Sequence, residues 1–152
     1  MSDNTDTSLA VVVLAAGQGT RMKSALPKVL HRIGGRSLIG HVLHTASGLR
    51  PQEVLVVVRH ERDLVTTAVA EIAPGARVVD QDEIPGTGRA VQVALAAVPD
   101  FAGDVLVLSG DVPLLEAETL RALIASHRST GAAVTLLSAH LTDATGYGRV
   151  IR

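Results

Sequence analysis

The sequence contains no cysteine and no tryptophan, and Phe101 and Tyr147 are its only phenylalanine and tyrosine. Without cysteine the chain can form neither disulfides nor thiolate metal sites, and it has no cysteine nucleophile. Proteins that bind nucleic acid by base stacking use exposed aromatic side chains, so this composition argues against that class. A net charge of -1 also argues against a globally basic protein that binds nucleic acids or membranes.

Long hydrophobic runs are also missing. The longest run near the start, Leu9–Ala16, is far shorter than the ~20 residues that a transmembrane helix needs. The residues before it are polar and acidic, the opposite of the basic start of a signal peptide. We therefore expect a disordered tail over residues 1–8 and a cytoplasmic protein with no membrane partner and no nucleic-acid partner.

Acidic residues are absent between Thr7 and Gln52, although the chain as a whole is almost neutral. A locally positive segment in a neutral protein indicates a small anionic ligand rather than a polyanion, with a solvated basic face as the alternative. The basic residues of this segment are Arg21, Lys23, Lys28, Arg32, Arg36 and Arg50.

Strand and helix patterns alternate along the chain. Apolar, β-branched runs next to glycine predict buried strands, and apolar residues at helical spacing predict helices between them. This order favours an α/β fold, a Rossmann-like three-layer α/β/α arrangement around a mostly parallel sheet. The predicted strands are 9–16, 53–58, 76–80, 104–108, 132–139 and 149–152, and the predicted helices are 37–49, 64–72, 91–98 and 116–130.

Ligands of such folds bind beyond the carboxyl ends of the strands. We therefore expect the site in the loops after Ala16, Asp80, Leu108 and Ala139. The first of these loops is rich in glycine, but it fits two familiar phosphate-binding motifs poorly. Met22 stands where the dinucleotide fingerprint has its third glycine and where a Walker A motif has the glycine before Lys23-Ser24.

A nucleotidyltransferase loop is the third interpretation of this segment. Gly17 and Gly19 would let the backbone approach a phosphate without a Cβ clash. Arg21 would add a fork of donors and Lys28 a point charge to the α- and β-phosphates. An ordinary glycine-rich turn between strand and helix is the alternative, but it does not require these four residues together.

The segment Ser109-Gly110-Asp111 places a carboxylate at the mouth of a buried strand. An unpaired carboxylate there is costly to desolvate, and a Mg²⁺ ion that also binds nucleotide phosphates would offset that cost. The alternative is that Asp111 caps the turn into Pro113.

Two further groups of residues are candidates for a site. Gln81 has both a donor and an acceptor with which to read a pyrimidine edge, and Gly86-Thr87-Gly88 would bring backbone and a hydroxyl close to the same ligand; a plain loop fits this segment equally well. His41 and His44 share a helix face, but no third ligand is indicated, so we predict no zinc site.

Four motifs together resemble those of the sugar-phosphate nucleotidyltransferases. They are Leu14–Met22 with Pro27–His31, Gly86–Gly88, Ser109–Leu114 and Gly146–Arg149. The Pro27–His31 segment is most similar to the uridyltransferase domain of the bifunctional bacterial members. The resemblance implies a fold of the nucleotide-diphospho-sugar transferase type, with residues 9–152 as the N-terminal portion of that domain. The acetyltransferase β-helix domain, through which full-length members form trimers, is then absent from this chain.

The resemblance also implies an activity: uridylyl transfer from UTP to N-acetylglucosamine 1-phosphate, which yields UDP-N-acetylglucosamine for cell-wall synthesis and pyrophosphate. Asp111 would hold Mg²⁺, Arg21 would stabilise the leaving pyrophosphate, and Gly148 would contact the amino-sugar. Arg21 and Lys28 are the expected catalytic residues. Alternatives are a cytidylyl- or thymidylyltransferase, or a nucleotide-binding fragment without turnover. The implied nucleotide site consists of Leu14, Ala15, Ala16, Gly17, Lys28, Gln81, Gly86, Thr87, Ser109, Gly110 and Asp111.

This sequence departs from the family pattern at three places. Arg89 replaces a histidine, and Ser109 stands where some members have tyrosine. The chain also ends before the asparagine that supplies the second metal ligand. We therefore expect weak UTP binding and poor turnover from the isolated chain. The residues agree with the chemistry, because a phosphate nucleophile is already an anion and needs positioning and charge neutralisation rather than a strong base.

Overall fold

The computed structural model describes residues 8–17, 19, 22–148 and 150, so the predicted tail lies almost wholly outside the described residues. The chain divides into two units, Met1–Ala117 and Glu118–Arg152. In chain order the strands are β1 Leu9–Leu14, β2 Arg32–Ile33, β3 Arg36–Ser37, β4 Glu53–Val58, β5 Arg77–Asp80 and β6 Asp104–Ser109. The helices are α1 Leu38–Ser47, α2 Arg62–Ile72, α3 Thr87–Ala96 and α4 Ala117–Thr130, and a 3-10 helix covers Lys28–Leu30.

A four-stranded parallel sheet forms the core of the first unit, in the order β5-β4-β1-β6. Ala10 and Val12 of β1 pack with Ala90 and Ala94 of α3, while α1 contacts β1 and α2 contacts β4 and β5. Val11 and its neighbours in β1 are fully buried, so the central strand is covered on both faces. The predicted α/β fold with a mostly parallel sheet is confirmed.

The strand order also fixes where a ligand can bind. After β1 the chain builds β4 and β5 on one side, and it then returns to add β6 on the other. In open α/β sheets the crevice at such a reversal, beyond the carboxyl ends, is the usual ligand site. Here Leu14 is in register with Ser109 of β6 and with Val57 of β4.

Helix α1 begins as its sequence predicts. The Ser37 hydroxyl accepts a hydrogen bond from the Gly40 amide at 3.2 Å, which satisfies one of the free donors at the helix start. The hairpin of β2 and β3 just before it was not predicted. Gly34 and Gly35, with φ of 57° and 83°, form its two-residue turn, and two positive φ angles are what this kind of turn requires.

The predicted fifth strand, Ala132–Ala139, is wrong. In the second unit this segment has no regular secondary structure, and Val134 and Leu136 are well exposed. A strand exists only when its backbone is paired, and no strand among the described residues pairs with this segment. The predicted strand 149–152 lies, apart from Val150, outside the described residues. None of the helices in the described ranges combines the length and the apolar character needed to cross a membrane.

Candidate functional site

A cavity of about 750 Å³ opens at the carboxyl ends of the sheet strands, and all the residues that line it belong to the first unit. This volume is within the range of small-molecule sites. Loops after β1, β4, β5 and β6 all contribute to its wall. Most of the predicted nucleotide-site residues lie there: Leu14, Ala15, Ala16, Gly17, Lys28, Gln81, Gly86, Thr87, Ser109 and Asp111.

Three other residues that the sequence predicted for the site are not in this group: Gly110, Arg21 and Gly148. Gly110 lies behind the wall, where its amide donates to the Leu14 carbonyl oxygen at 2.9 Å. A Cβ at Gly110 would lie 2.9 Å from that same oxygen, which explains the glycine. Arg21 lies outside the described residues. Gly148 belongs to the second unit, and its contact with a sugar stays a prediction.

Lys28 and Asp111 meet inside the cavity, although 83 residues separate them in the chain. The Lys28 Nζ donates to Asp111 Oδ2 at 2.6 Å, and both side chains are partly exposed. Val29, the buried residue of the 3-10 helix, anchors Lys28, and Asp111 follows the end of β6. The Lys28 ammonium group and the Asp111 carboxylate thus lie in the same cavity, where the strand order of the sheet reverses.

The loop after β1 offers further donors beside Lys28. The Ala15 amide continues the sheet by donating to the Val57 carbonyl oxygen at 2.8 Å. The amides of Ala16, Gly17 and Gly19 donate to no described residue. Backbone amides without a described partner, on a loop whose residues line a cavity together with an ammonium group, are suited to binding phosphate oxygens.

Gln81 lies at the other end of the cavity, just after β5. Its Nε2 donates to the Ile84 carbonyl oxygen at 3.0 Å and to the Gly86 carbonyl oxygen at 3.2 Å. A backbone carbonyl can only accept, so the amide nitrogen must face both of these oxygens. The side chain therefore keeps only its Oε1 acceptor for a ligand.

Arg59 and His60 also line the cavity, and the sequence analysis missed them. They directly follow the buried strand β4. Ligands of such folds bind beyond the carboxyl ends of the strands, and applying this rule to β4 as well would have identified both residues. Arg59 Nη2 donates to the Glu83 carbonyl oxygen at 3.2 Å.

Arg89, the residue that departs from the family pattern, pairs with Asp82. Its Nε donates to Asp82 Oδ2 at 2.9 Å, and its Nη2 forms a second, shorter bond to the same oxygen. This hydrogen bonding lowers the pKa of Asp82, and the positive charge of Arg59 acts in the same direction. Arg89 therefore supports the loop that carries Gln81.

The donor groups of the cavity fit a metal ion that arrives with a phosphate ligand. No group of three or more histidine, aspartate or glutamate side chains that could hold a metal occurs in the part of the chain that the structure describes. Asp111 supplies one hard carboxylate to the cavity wall. Mg²⁺ is commonly bound by one or two carboxylates together with substrate phosphates, so a single carboxylate here is compatible with such an ion.

Comparison with known proteins gives matches over nearly the whole chain. The family described as the MobA-like NTP transferase domain matches residues 11–143. The chain is 62% identical over 149 residues to the bifunctional protein GlmU of Leifsonia xyli subsp. xyli, covering 97% of this chain and 31% of that protein. It therefore spans about a third of the length of the curated relatives it matches.

Solved structures with the same fold include a manganese complex and a nucleotidyl transferase. A Mycobacterium tuberculosis protein in complex with manganese superposes with a TM-score of 0.66 and 27% identity, over 81% of this chain and 61% of that one. A nucleotidyl transferase from Methanothermobacter thermautotroptrophicus gives a TM-score of 0.64 and 25% identity, over 76% of this chain and 56% of that one.

Proposed function

The chain belongs to the MobA-like NTP transferase family, and from this premise we propose that it carries the nucleotide site of a uridylyltransferase. The reaction transfers the uridylyl group of UTP to N-acetylglucosamine 1-phosphate, which gives UDP-N-acetylglucosamine and releases pyrophosphate. The similarity to GlmU supports this choice of substrates. The observation that carries the proposal is the shared cavity, which holds the free amides after β1, Lys28 and Asp111 at one end and Gln81 at the other.

UTP would extend along the rim of the sheet between these two ends. Gln81 would accept a hydrogen bond from N3–H of uracil through Oε1, because both hydrogens of its amide are already donated within the loop. Cytosine has an acceptor at N3, so it would leave Oε1 facing another acceptor. An unsatisfied polar group costs about 1–3 kcal/mol, which corresponds to discrimination of about fivefold to about 150-fold.

The triphosphate would lie against the loop after β1. There the amides of Ala16, Gly17 and Gly19 can donate to phosphate oxygens. Lys28, which pairs with Asp111 in the structure, can turn its ammonium group to the phosphates. Attack by the sugar phosphate on the α-phosphorus needs no base, so the residues act by holding the two anions in line and neutralising their charge.

Asp111 is the residue that would hold a divalent metal ion, which we propose to be Mg²⁺. The manganese complex of the Mycobacterium tuberculosis neighbour supports a divalent ion in this fold. When bound, such an ion supplies charge stabilisation to the phosphoryl groups. Release of Lys28 from Asp111 would then leave the lysine free for the nucleotide. Assembly into trimers through a separate acetyltransferase domain remains a prediction.

Nucleotide binding to this chain tests the proposal directly. We expect Mg·UTP to bind at least about fivefold more tightly than Mg·CTP, for the reason given for Gln81. Titration calorimetry with UTP, CTP and dTTP measures this preference. Gln81→Ala is expected to bring the affinity for UTP to that for CTP. Equal affinity of the unaltered chain for UTP and CTP would contradict the proposed base.

Turnover requires the sugar phosphate as well, and a chimaera provides the assay. In it, residues 9–148 replace the matching segment of Leifsonia xyli GlmU, which is 62% identical over the aligned region. We expect this chimaera to release pyrophosphate on addition of Mg²⁺, UTP and N-acetylglucosamine 1-phosphate. Tight UTP binding without any pyrophosphate release would instead indicate a nucleotide-binding protein without turnover.

Arg21→Ala in the same chimaera is expected to lower kcat by about a hundredfold. The role of Arg21 rests on the sequence pattern, in which it follows Gly17 and Gly19 in the basic segment. Loss of one donor aimed at developing charge typically costs a factor of about 10² to 10³. Arg36→Ala is the matched control, since Arg36 lies in the same basic segment but on the exposed hairpin strand β3. A loss of less than about threefold for Arg21→Ala would contradict its assigned role.

A further inference from the structure

The segment between β5 and α3, residues 81–86, carries the Gln81 amide and the Gly86 carbonyl that orients it. We call it the reader loop. It has no regular secondary structure, and every residue from 82 to 86 is exposed. An exposed loop of this kind fluctuates unless other groups hold it. Its ability to read a base therefore depends on the contacts that fix it.

Arg59 holds the reader loop from the side of the sheet. It follows Val58, the last residue of β4, which is fully buried together with the three residues before it. From this rigid position Arg59 Nη2 reaches across to the Glu83 carbonyl oxygen at 3.2 Å. Arg59 also lines the cavity, so the bond links the cavity wall to the reader loop.

Arg89 holds the same loop from the side of helix α3. It donates through Nε and Nη2 to Asp82 Oδ2, and Nη1 also donates to the Gln92 side chain at 3.3 Å. The other carboxylate oxygen, Asp82 Oδ1, accepts from the Ile84 amide at 3.2 Å. The carboxylate therefore links a residue of the helix to the backbone of the reader loop.

We infer that Arg59 and Arg89 are positioning residues that fix the reader loop from both sides and thereby set the base selectivity of the nucleotide site. The two guanidinium groups keep the carbonyl oxygens of Ile84 and Gly86 where they orient the Gln81 amide. If the loop relaxes, the amide can rotate and offer its N–H donors to cytosine N3. The inference rests on the proposed function, because Gln81 reads a base only if the cavity takes a nucleotide.

Arg59→Ala and Arg89→Ala test this role by selectivity rather than by affinity alone. Each substitution is expected to lower the ratio of CTP to UTP dissociation constants by about fivefold, the effect of losing one hydrogen bond of ordinary strength. Arg59→Lys retains one donor and is expected to restore part of the ratio. Calorimetric titration of the 152-residue chain with Mg·UTP and Mg·CTP provides the measurement.

Arg77→Ala is the matched control. Arg77 also donates to a backbone carbonyl, that of Ala97 at 2.8 Å, and pairs with Glu53. It lies at the start of β5, whereas the reader loop follows the end of that strand. Arg77→Ala removes the same kinds of bond at a distance from the reader loop. It is therefore expected to leave the ratio of CTP to UTP dissociation constants unchanged.

Hydrogen exchange in the absence of any nucleotide gives an independent test. Amides of the reader loop, that of Ile84 above all, are expected to exchange at least about threefold faster in Arg59→Ala and Arg89→Ala than in the unaltered chain or in Arg77→Ala. Unchanged exchange in both arginine variants would overturn the inference. So would a selectivity ratio that stays the same while the unaltered chain prefers UTP.

The selectivity of the unaltered chain distinguishes a failure of the proposed function from a failure of this inference. If the unaltered chain does not distinguish UTP from CTP, the base assignment fails, and the selectivity role of the two arginines fails with it. If the chain does prefer UTP and faster loop exchange accompanies a reduced ratio in both variants, the inference is supported.

Discussion

Replacing Asp111 with alanine in the chimaera is expected to lower the metal-dependent rate of pyrophosphate release by about a thousandfold or more. Asp111 is the carboxylate that the end of β6 presents to the cavity. A bound divalent ion contributes several kcal/mol of charge stabilisation to phosphoryl transfer, and each 1.36 kcal/mol is about tenfold in rate. The substitution also leaves Lys28 without its partner at 2.6 Å. Steady-state rates at increasing Mg²⁺ concentration measure the loss.

Asp111 has two proposed roles, as a metal ligand and as the counter-ion of Lys28. Measuring metal binding as well as activity distinguishes them. Mn²⁺ binding in the presence of UTP, followed by electron paramagnetic resonance, is expected to weaken by at least about tenfold in Asp111→Ala and Asp111→Asn. Asp100→Ala, at an exposed position, is the control and is expected to bind Mn²⁺ as the unaltered protein does. Unchanged Mn²⁺ affinity in both Asp111 variants would place the ion elsewhere and leave Asp111 as a counter-ion for Lys28.

Gly19→Ala is expected to weaken the affinity for Mg·UTP by at least about tenfold. Two independent effects act at this position. Gly19 has a φ of +61°, which is costly for alanine. A Cβ would also lie 2.7 Å from Lys28 Cβ, so the loop and Lys28 must move apart. That movement displaces the amides and the ammonium group from a common phosphate, and a loss of about 1.4 kcal/mol already gives tenfold.

Gly131→Ala separates the two effects of the Gly19 substitution. Gly131 has the same φ of +61°, but a Cβ added there would meet nothing within 4 Å. The substitution is therefore expected to lower the stability by the backbone cost alone, about 1–2 kcal/mol, and to leave UTP affinity unchanged. Calorimetry and thermal unfolding of both variants give the comparison. If Gly19→Ala bound UTP as well as Gly131→Ala does, close contact between the loop and Lys28 would not matter for the nucleotide.

The wall of the cavity could be predicted because local patterns fix where strands end. The apolar runs that form β1 and β6 stop at glycine-containing segments, and the carboxyl ends of parallel strands meet at one edge. The contact between Lys28 and Asp111 has no local signal, since 83 residues separate them. That both residues belong to one site was expected from the family resemblance. The position of Arg21 lies outside the described residues, so its role stays a prediction.

Elements that depend on distant partners were predicted less well. The segment Ala132–Ala139 has the composition of a strand, but composition reports the fit to a pleated surface and not the presence of a neighbouring strand. The β2–β3 hairpin was missed although Gly34-Gly35 is a strong turn signal. The pairing of Arg89 with Asp82 explains how this chain accommodates the arginine at a position where the family pattern has histidine.

The hydrogen bond from the Gly110 amide to the Leu14 carbonyl continues the pairing of β1 and β6 beyond the last ladder partners, Leu14 and Ser109. Neighbouring strands in any sheet lie about 4.8 Å apart. The separation between the backbone that we propose to hold the phosphates and the backbone that carries Asp111 is therefore set by this constant spacing. Heating or lengthening of the surrounding loops is expected to leave it unchanged up to the point at which the sheet itself comes apart.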